Sequence, residues 1–133
     1  MTNAKELVKS FYESDFIGSI DTLAKYLHPE LELYWNSSEG FNKLTYSDIS
    51  NLVKEMGKSY ESIRSNISHL IQEGNKVTIR YTDYVRMIEN PDEEVALGHY
   101  IAIWEIEENR MRKGFQISQP YSDEPENIRS FLP

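Results

Sequence analysis

The chain has no cysteine, so disulfides, thiolate catalysis and cysteine-based zinc sites are all excluded at once. It is also short of positive charge. Lys and Arg together number 14 against 22 Asp and Glu, a formal net charge of −8. A phosphate backbone would be repelled by that balance, and so would an anionic membrane surface, which argues against both as partners. No apolar run approaches the roughly 18 residues that a membrane-spanning helix needs. The first residues, Met1 to Glu6, lead directly into an amphipathic segment rather than into the apolar stretch of a signal peptide. The expectation is a cytoplasmic protein. Gly and Pro are sparse, at 6 and 5, and they do not cluster into a linker. No repeat or low-complexity stretch is present. The 133 residues therefore suit one domain, spanning 1–133, with one hydrophobic core.

What the chain has in quantity is aromatic residues, 12% of the total, with nine Tyr. Such side chains fill a core or wall a cavity. The first segment places Leu7, Val8, Phe11 and Tyr12 at helical spacing, predicting a helix over Asn3–Ser14 with Asn3 and Glu6 as a capping box. A second helix carries Ile20, Leu23 and Leu27 and is expected to stop before Pro29. Leu31 to Asn36 alternates as a strand, and Ser37-Ser38-Glu39-Gly40 breaks it. Thr45 and Asp48 open a third helix whose stripe is Ile49, Leu52, Val53 and Met56, closed by Gly57. The pattern then changes to strands over Ser62–Gln72, Lys76–Ile88, Val95–Ile106 and Met111–Tyr121. Residues 89–94 read as a polar loop and residues 122–133 as a loosely packed tail. The fold class is α+β, with three N-terminal helices on a curved, mostly antiparallel sheet.

Three segments carry a family resemblance. Leu27-His28-Pro29-Glu30-Leu31-Glu32-Leu33-Tyr34-Trp35 is similar to a helix-to-strand passage of the nuclear transport factor 2-like (SnoaL-like) superfamily. Asn75-Lys76-Val77-Thr78-Ile79-Arg80-Tyr81-Thr82 resembles its Arg-Tyr strand, and Ala102 to Met111 resembles its strand–turn–strand signature. The resemblance covers nearly the whole chain and implies a cone-shaped fold. It also implies that the family's usual catalytic positions are occupied by inert residues. The tyrosine, base and second acid of a ketosteroid-type isomerase fall on Phe11, Trp35 and Ala102. The histidine of a cyclase falls on Gly114. The epoxide hydrolase cluster is absent, because Arg80 and Asp83 are three apart on a strand and point to opposite faces. The family commonly dimerises through its sheet, which implies a homodimer here.

Alternation along the second meander strand places Asp83 on the same face as Val77, Ile79, Tyr81 and Val85. An acid among apolar residues either finds a partner or shifts its pKa, so Asp83 is the candidate catalytic or polar focus of a cavity. It also reads as a structural acid bonded to a core donor. Trp35, Tyr81, Tyr100, Trp104 and Gln116 are candidate ligand-binding residues, with ordinary core packing as the alternative for the aromatics. His99 belongs to the outward set of its strand; it becomes an acid–base partner for Asp83 only if that parity is reversed. The three His residues have no close ligand spacing, so neither a metal site nor a cofactor is expected. Three functions remain open. One is a domain that binds a small apolar or weakly polar molecule. The second is an isomerase-, cyclase- or dehydratase-type enzyme with Asp83 as general base. The third is a non-catalytic interaction domain with a filled core.

Overall fold

The computed structural model describes residues 3–131. Met1 and Thr2, which the sequence places ahead of the first helix, and Leu132 and Pro133, at the end of the expected tail, lie outside the described residues.

Helix α1 spans Ala4–Tyr12 and buries Leu7, Val8, Phe11 and Tyr12, while the Asn3 side chain accepts a hydrogen bond from the Glu6 backbone N–H at 2.8 Å. Helix α2 is only Thr22–Tyr26 and has no side-chain cap. The chain leaves it earlier than the proline rule anticipates. Leu27 is already extended, and strand β1 runs from Leu27 to Ser37 with Pro29 inside it. The sheet tolerates this proline because the register of β1 shifts between Leu27 and Glu32, so Pro29 sits in an irregularity where no ladder donor is required.

The expected break at 37–40 is a hairpin turn. It leads into strand β2, Gly40–Thr45, which the sequence reading missed. Gly40 adopts a φ of 110°, a conformation open to glycine. β2 is an exposed edge strand, and without a buried face it carries no alternation to detect. Helix α3, Tyr46–Met56, follows with its capping box formed between Thr45 and Asp48.

Four strands complete the sheet: β3 Tyr60–Glu73, β4 Lys76–Met87, β5 Asn90–Glu107 and β6 Arg110–Pro120. The expected loop at 89–94 is largely strand, because the chain turns at Ile88–Glu89 and residues from Asn90 onward already pair with β4. Glu108 and Asn109 both take positive φ, the geometry of a tight hairpin matched to strand twist. The sheet order is β2-β1-β6-β5-β4-β3, antiparallel except where β1 joins β6. The helices α1, α2 and α3 cover its concave face. The strand expected between the second and third helices is a two-stranded hairpin, and, as a correction to three N-terminal helices alone, a fourth short helix, α4 (Pro125–Ile128), follows the sheet. Among the described residues no helix is long and apolar enough to cross a membrane.

The core lies between α1, α2 and the sheet. Leu23 and Leu31 are 1% exposed, and Val8, Val77, Ile79 and Met111 are fully buried. Truncating Leu23 to Ala is expected to cost about 2–5 kcal/mol, read as a lower denaturation midpoint, because so short a helix has little besides this anchor to hold it down.

The tail is not loose. α4 leads into a single 3₁₀ turn, Arg129–Phe131, that folds back on the convex face of the sheet. There the Phe131 ring stacks on His99 at 3.8 Å between centroids, and the Arg80 guanidinium lies over the same ring at 3.9 Å. Arg80 also donates to the Ser130 carbonyl and hydroxyl, each at 3.0 Å. One aromatic residue in a polar sequence supplies this docking, too little for a periodic pattern to reveal.

Candidate ligand cavity

Between the concave face and the helices lies a cavity of about 310 Å³. Leu33 and Trp35 of β1 and Leu44 of β2 form one side of it, and Ile49, Leu52, Val53 and Met56 of α3 form another. α1 and the turn after it contribute Phe11, Tyr12 and Phe16. The sheet floor is built by period-two alternation. β4 presents Tyr81 and Asp83, β5 presents Tyr100 and Trp104, and β6 presents Gln116. Eight of the lining side chains are aromatic, and Asp83 is the one charged residue among them.

Asp83 is held where β3, β4 and β5 meet. It pairs with Ser65 on one side and Gly98 on the other. Ser65 Oγ donates to Asp83 Oδ1 at 2.7 Å. Gly98 leaves the opposite position without a side chain, and the Tyr100 hydroxyl uses that space: a Cβ on Gly98 would approach it to 3.3 Å and the Gln119 carbonyl to 2.9 Å. Burial raises the pKa of Asp83 from 3.8 to about 7, only partly countered by the Ser65 hydrogen bond. Among the described residues no cation compensates the carboxylate. The neighbouring phenols are held neutral. Burial raises Tyr12 to about 12 and lifts Tyr81 and Tyr100 further, with the nearby Asp83 charge adding to each.

The rest of the polar framework is internally bonded. Trp104 Nε1 donates to the Tyr12 hydroxyl at 2.9 Å, and the Tyr81 hydroxyl donates to Gln116 Oε1 at 3.2 Å. Trp35 Nε1 donates to Ser118 Oγ at 2.8 Å. The rings of Tyr81 and Tyr100 stack at 5.0 Å, and Tyr12 tilts against Tyr81 at 4.6 Å. The floor is thus a locked aromatic platform. Among the described residues, Asp83 Oδ2, the Tyr60 and Tyr100 hydroxyls and Gln116 Nε2 are the lining polar groups left for a bound molecule.

The structure brings together Asp83, Trp35, Tyr81, Tyr100, Trp104 and Gln116 around one space. It does not bring His99 to them. His99 lies on the convex face, 3% exposed, with Nδ1 at 2.8 Å from Thr82 Oγ1. Its Nε2 has no partner among the described residues. Burial, with Arg80 nearby, lowers its pKa, so it stays neutral under Phe131. The sheet itself separates it from Asp83, and no proton can pass between them directly. Arg80 and Asp83 likewise lie on opposite faces.

Three contributors escaped the sequence reading. Leu97 falls in the outward set by simple alternation, yet it lines the cavity because β5 bulges there: Asp83 pairs Gly98, whereas Tyr84 already pairs Ala96. Ser65 lies on a strand with no clean alternation. Tyr12 reads as part of a helix core stripe, and only the fold shows that this stripe borders a space. No group of three or more His, Asp or Glu residues that could hold a metal is present among the described residues.

No protein-family model and no curated protein sequence matches the chain. Solved structures do match in shape. IdmH from Streptomyces antibioticus, proposed to be a polyketide cyclase, superposes with a TM-score of 0.71 at 11% identity, over 88% of this chain and 92% of its own. An NTF2-like protein of unknown function from Burkholderia pseudomallei gives 0.59 at 17% identity, with both chains fully covered. An LEH-like epoxide hydrolase from M. tuberculosis gives 0.66 at 16% identity, over 86% of this chain and 81% of that one. The chain has the NTF2-like fold. At such identities the likeness speaks for architecture and not for chemistry.

Proposed function

We propose that residues 1–133 form one small-molecule-binding domain, whose cavity takes a compound with an apolar body and sets its polar end against Asp83. The observation that carries this reading is the cavity of about 310 Å³ with aromatic and aliphatic walls and a single unpaired acid. That volume lies at the lower end of the usual range for ligand sites, about 300–1,000 Å³, and the arrangement of apolar walls around few polar groups is what such sites share. A filled core, which the interaction-domain reading requires, has no such space. A thermal-shift screen with two-ring aromatic, carbonyl and hydroxyl compounds tests it. At a hundredfold excess over Kd a ligand stabilises by about 2.7 kcal/mol, so at least one compound is expected to raise the melting temperature clearly. The rise should shrink in Asp83→Asn. A panel without a hit would count against the cavity as a binding site.

A second reading has its own support. A carboxyl with a pKa of about 7 is matched to general-base work at neutral pH, and the neutral Tyr100 hydroxyl beside it can donate to a developing oxyanion. On this reading Asp83→Asn loses turnover by roughly 10²–10⁴-fold while keeping ligand affinity. The inert residues at Phe11, Trp35, Ala102 and Gly114 favour binding over catalysis of the isomerase or cyclase type.

The convex face supports a homodimer. Ile101, Ile103, Phe115 and Ile117 are paired across β5 and β6 and remain 41–63% exposed. Contiguous exposed apolar side chains of this kind mark an association surface. Ile103→Arg is expected to convert the species seen in sedimentation equilibrium from dimer to monomer.

A further inference from the structure

We propose that the ligand of this cavity is an amine with an apolar body of roughly two rings, bound as its ammonium ion with Asp83 as counter-ion. The inference rests on the cavity reading above and narrows it. Among the described residues no Lys, Arg or His lines the space, so a carboxylate or phosphate would meet no positive partner there and would face Asp83 directly. The groups that face Asp83 from the neighbouring elements are Ser65 and Tyr60 of β3, Tyr81 of β4, Tyr100 of β5 and Tyr12 of α1. Apart from the serine hydroxyl they are phenols, and a phenol carries no positive charge in any protonation state. The one charge on the wall therefore lacks an internal partner, and a buried ion is stabilised most by an opposite charge placed against it.

The surroundings suit a cation in a second way. Tyr81 and Tyr100 stack beside Asp83, and Trp35 and Trp104 stand farther along the same floor. Ring faces attract an ammonium group, whereas they give nothing extra to a neutral hydroxyl. The net charge of −8 favours the approach of a cation as well. As for size, a dry cavity of about 150 Å³ accommodates a benzene, so twice that volume admits a two-ring body.

The test uses three probes that share one body: 2-(1-naphthyl)ethylamine, 2-(1-naphthyl)ethanol and 1-naphthylacetate. Each is titrated into the wild-type protein by calorimetry at pH 6 and pH 8. The amine is expected to bind at least tenfold more tightly than the alcohol at pH 8, and the acetate least of all. Because Asp83 must be ionised to act as counter-ion, amine affinity is expected to fall about tenfold from pH 8 to pH 6, with release of close to one proton at pH 6. The alcohol should not show that loss. Asp83→Asn should cost the amine at least tenfold more affinity than it costs the alcohol, so that the two bind alike, and its melting curve shows whether it is folded. An alcohol that binds as tightly as the amine at pH 8 overturns the amine assignment and leaves the cavity reading standing. Failure of all three probes to bind overturns both.

Discussion

Asp83→Asn is expected to make the protein more stable, and the gain should grow with pH. In the folded state Asp83 holds its proton up to about pH 7, whereas in the unfolded chain it releases it near 3.8. Between these values the folded state binds more protons than the unfolded state, so stability falls as pH rises. Below pH 4 the acid is neutral in both states and costs nothing. Above pH 7 the full cost of a desolvated carboxylate is present, roughly 4 kcal/mol for a shift of this size. An asparagine of the same shape keeps the hydrogen bond from Ser65 through its amide oxygen and carries no charge. Urea melts at pH 5 and pH 8 check this. The variant should exceed the wild type at both, with the larger difference at pH 8, on the order of 10 °C if read as melting temperature. A variant less stable than the wild type at pH 8 would show that Asp83 is paired in the fold and not held strained for a ligand. A group that costs stability yet borders an open space is the pattern expected of a binding or catalytic residue.

The second large effect concerns Gly114. A Cβ at this position would lie 2.7 Å and 2.8 Å from two ring carbons of Trp104 and 2.9 Å from Leu33 Cδ1. Trp104 is 3% exposed and tied to Tyr12, so it cannot swing aside. Gly114→Ala is therefore expected to destabilise by about 1–3 kcal/mol through overpacking. Trp104→Phe removes the two ring carbons concerned. In that background the glycine substitution should cost much less, and a double-mutant cycle should return a coupling of about 1 kcal/mol or more. Additive costs would mean that the indole does not own the space.

Much of this architecture was legible in the residues. The α3 stripe with its Thr45–Asp48 box, and the alternation of Val77, Ile79, Tyr81, Asp83 and Val85, are local signals, and local signals predict faces well. The failures share one cause, which is that their determinants are not local. Pro29 enters a strand because β6 offers it an irregular partner. Strand β2 exists because β1 templates it, with no buried face of its own. Leu97 reaches the cavity through a bulge that only the pairing with β4 reveals. The tail docks through Phe131 because His99 and Arg80, about thirty and fifty residues earlier, happen to wait on the convex face. The acid at position 83 was visible as an anomaly on an apolar face; that its neighbours leave a space beside it was not.

The most direct test of a desolvated acid facing a ligand cavity is the titration of the Asp83 side-chain carboxyl carbon by NMR, assigned by its absence in Asp83→Asn. A midpoint near pH 7 in the free protein, displaced when a two-ring probe saturates the cavity, is the expected result. A midpoint in the ordinary carboxylate range near 4 that no probe moves would contradict the account.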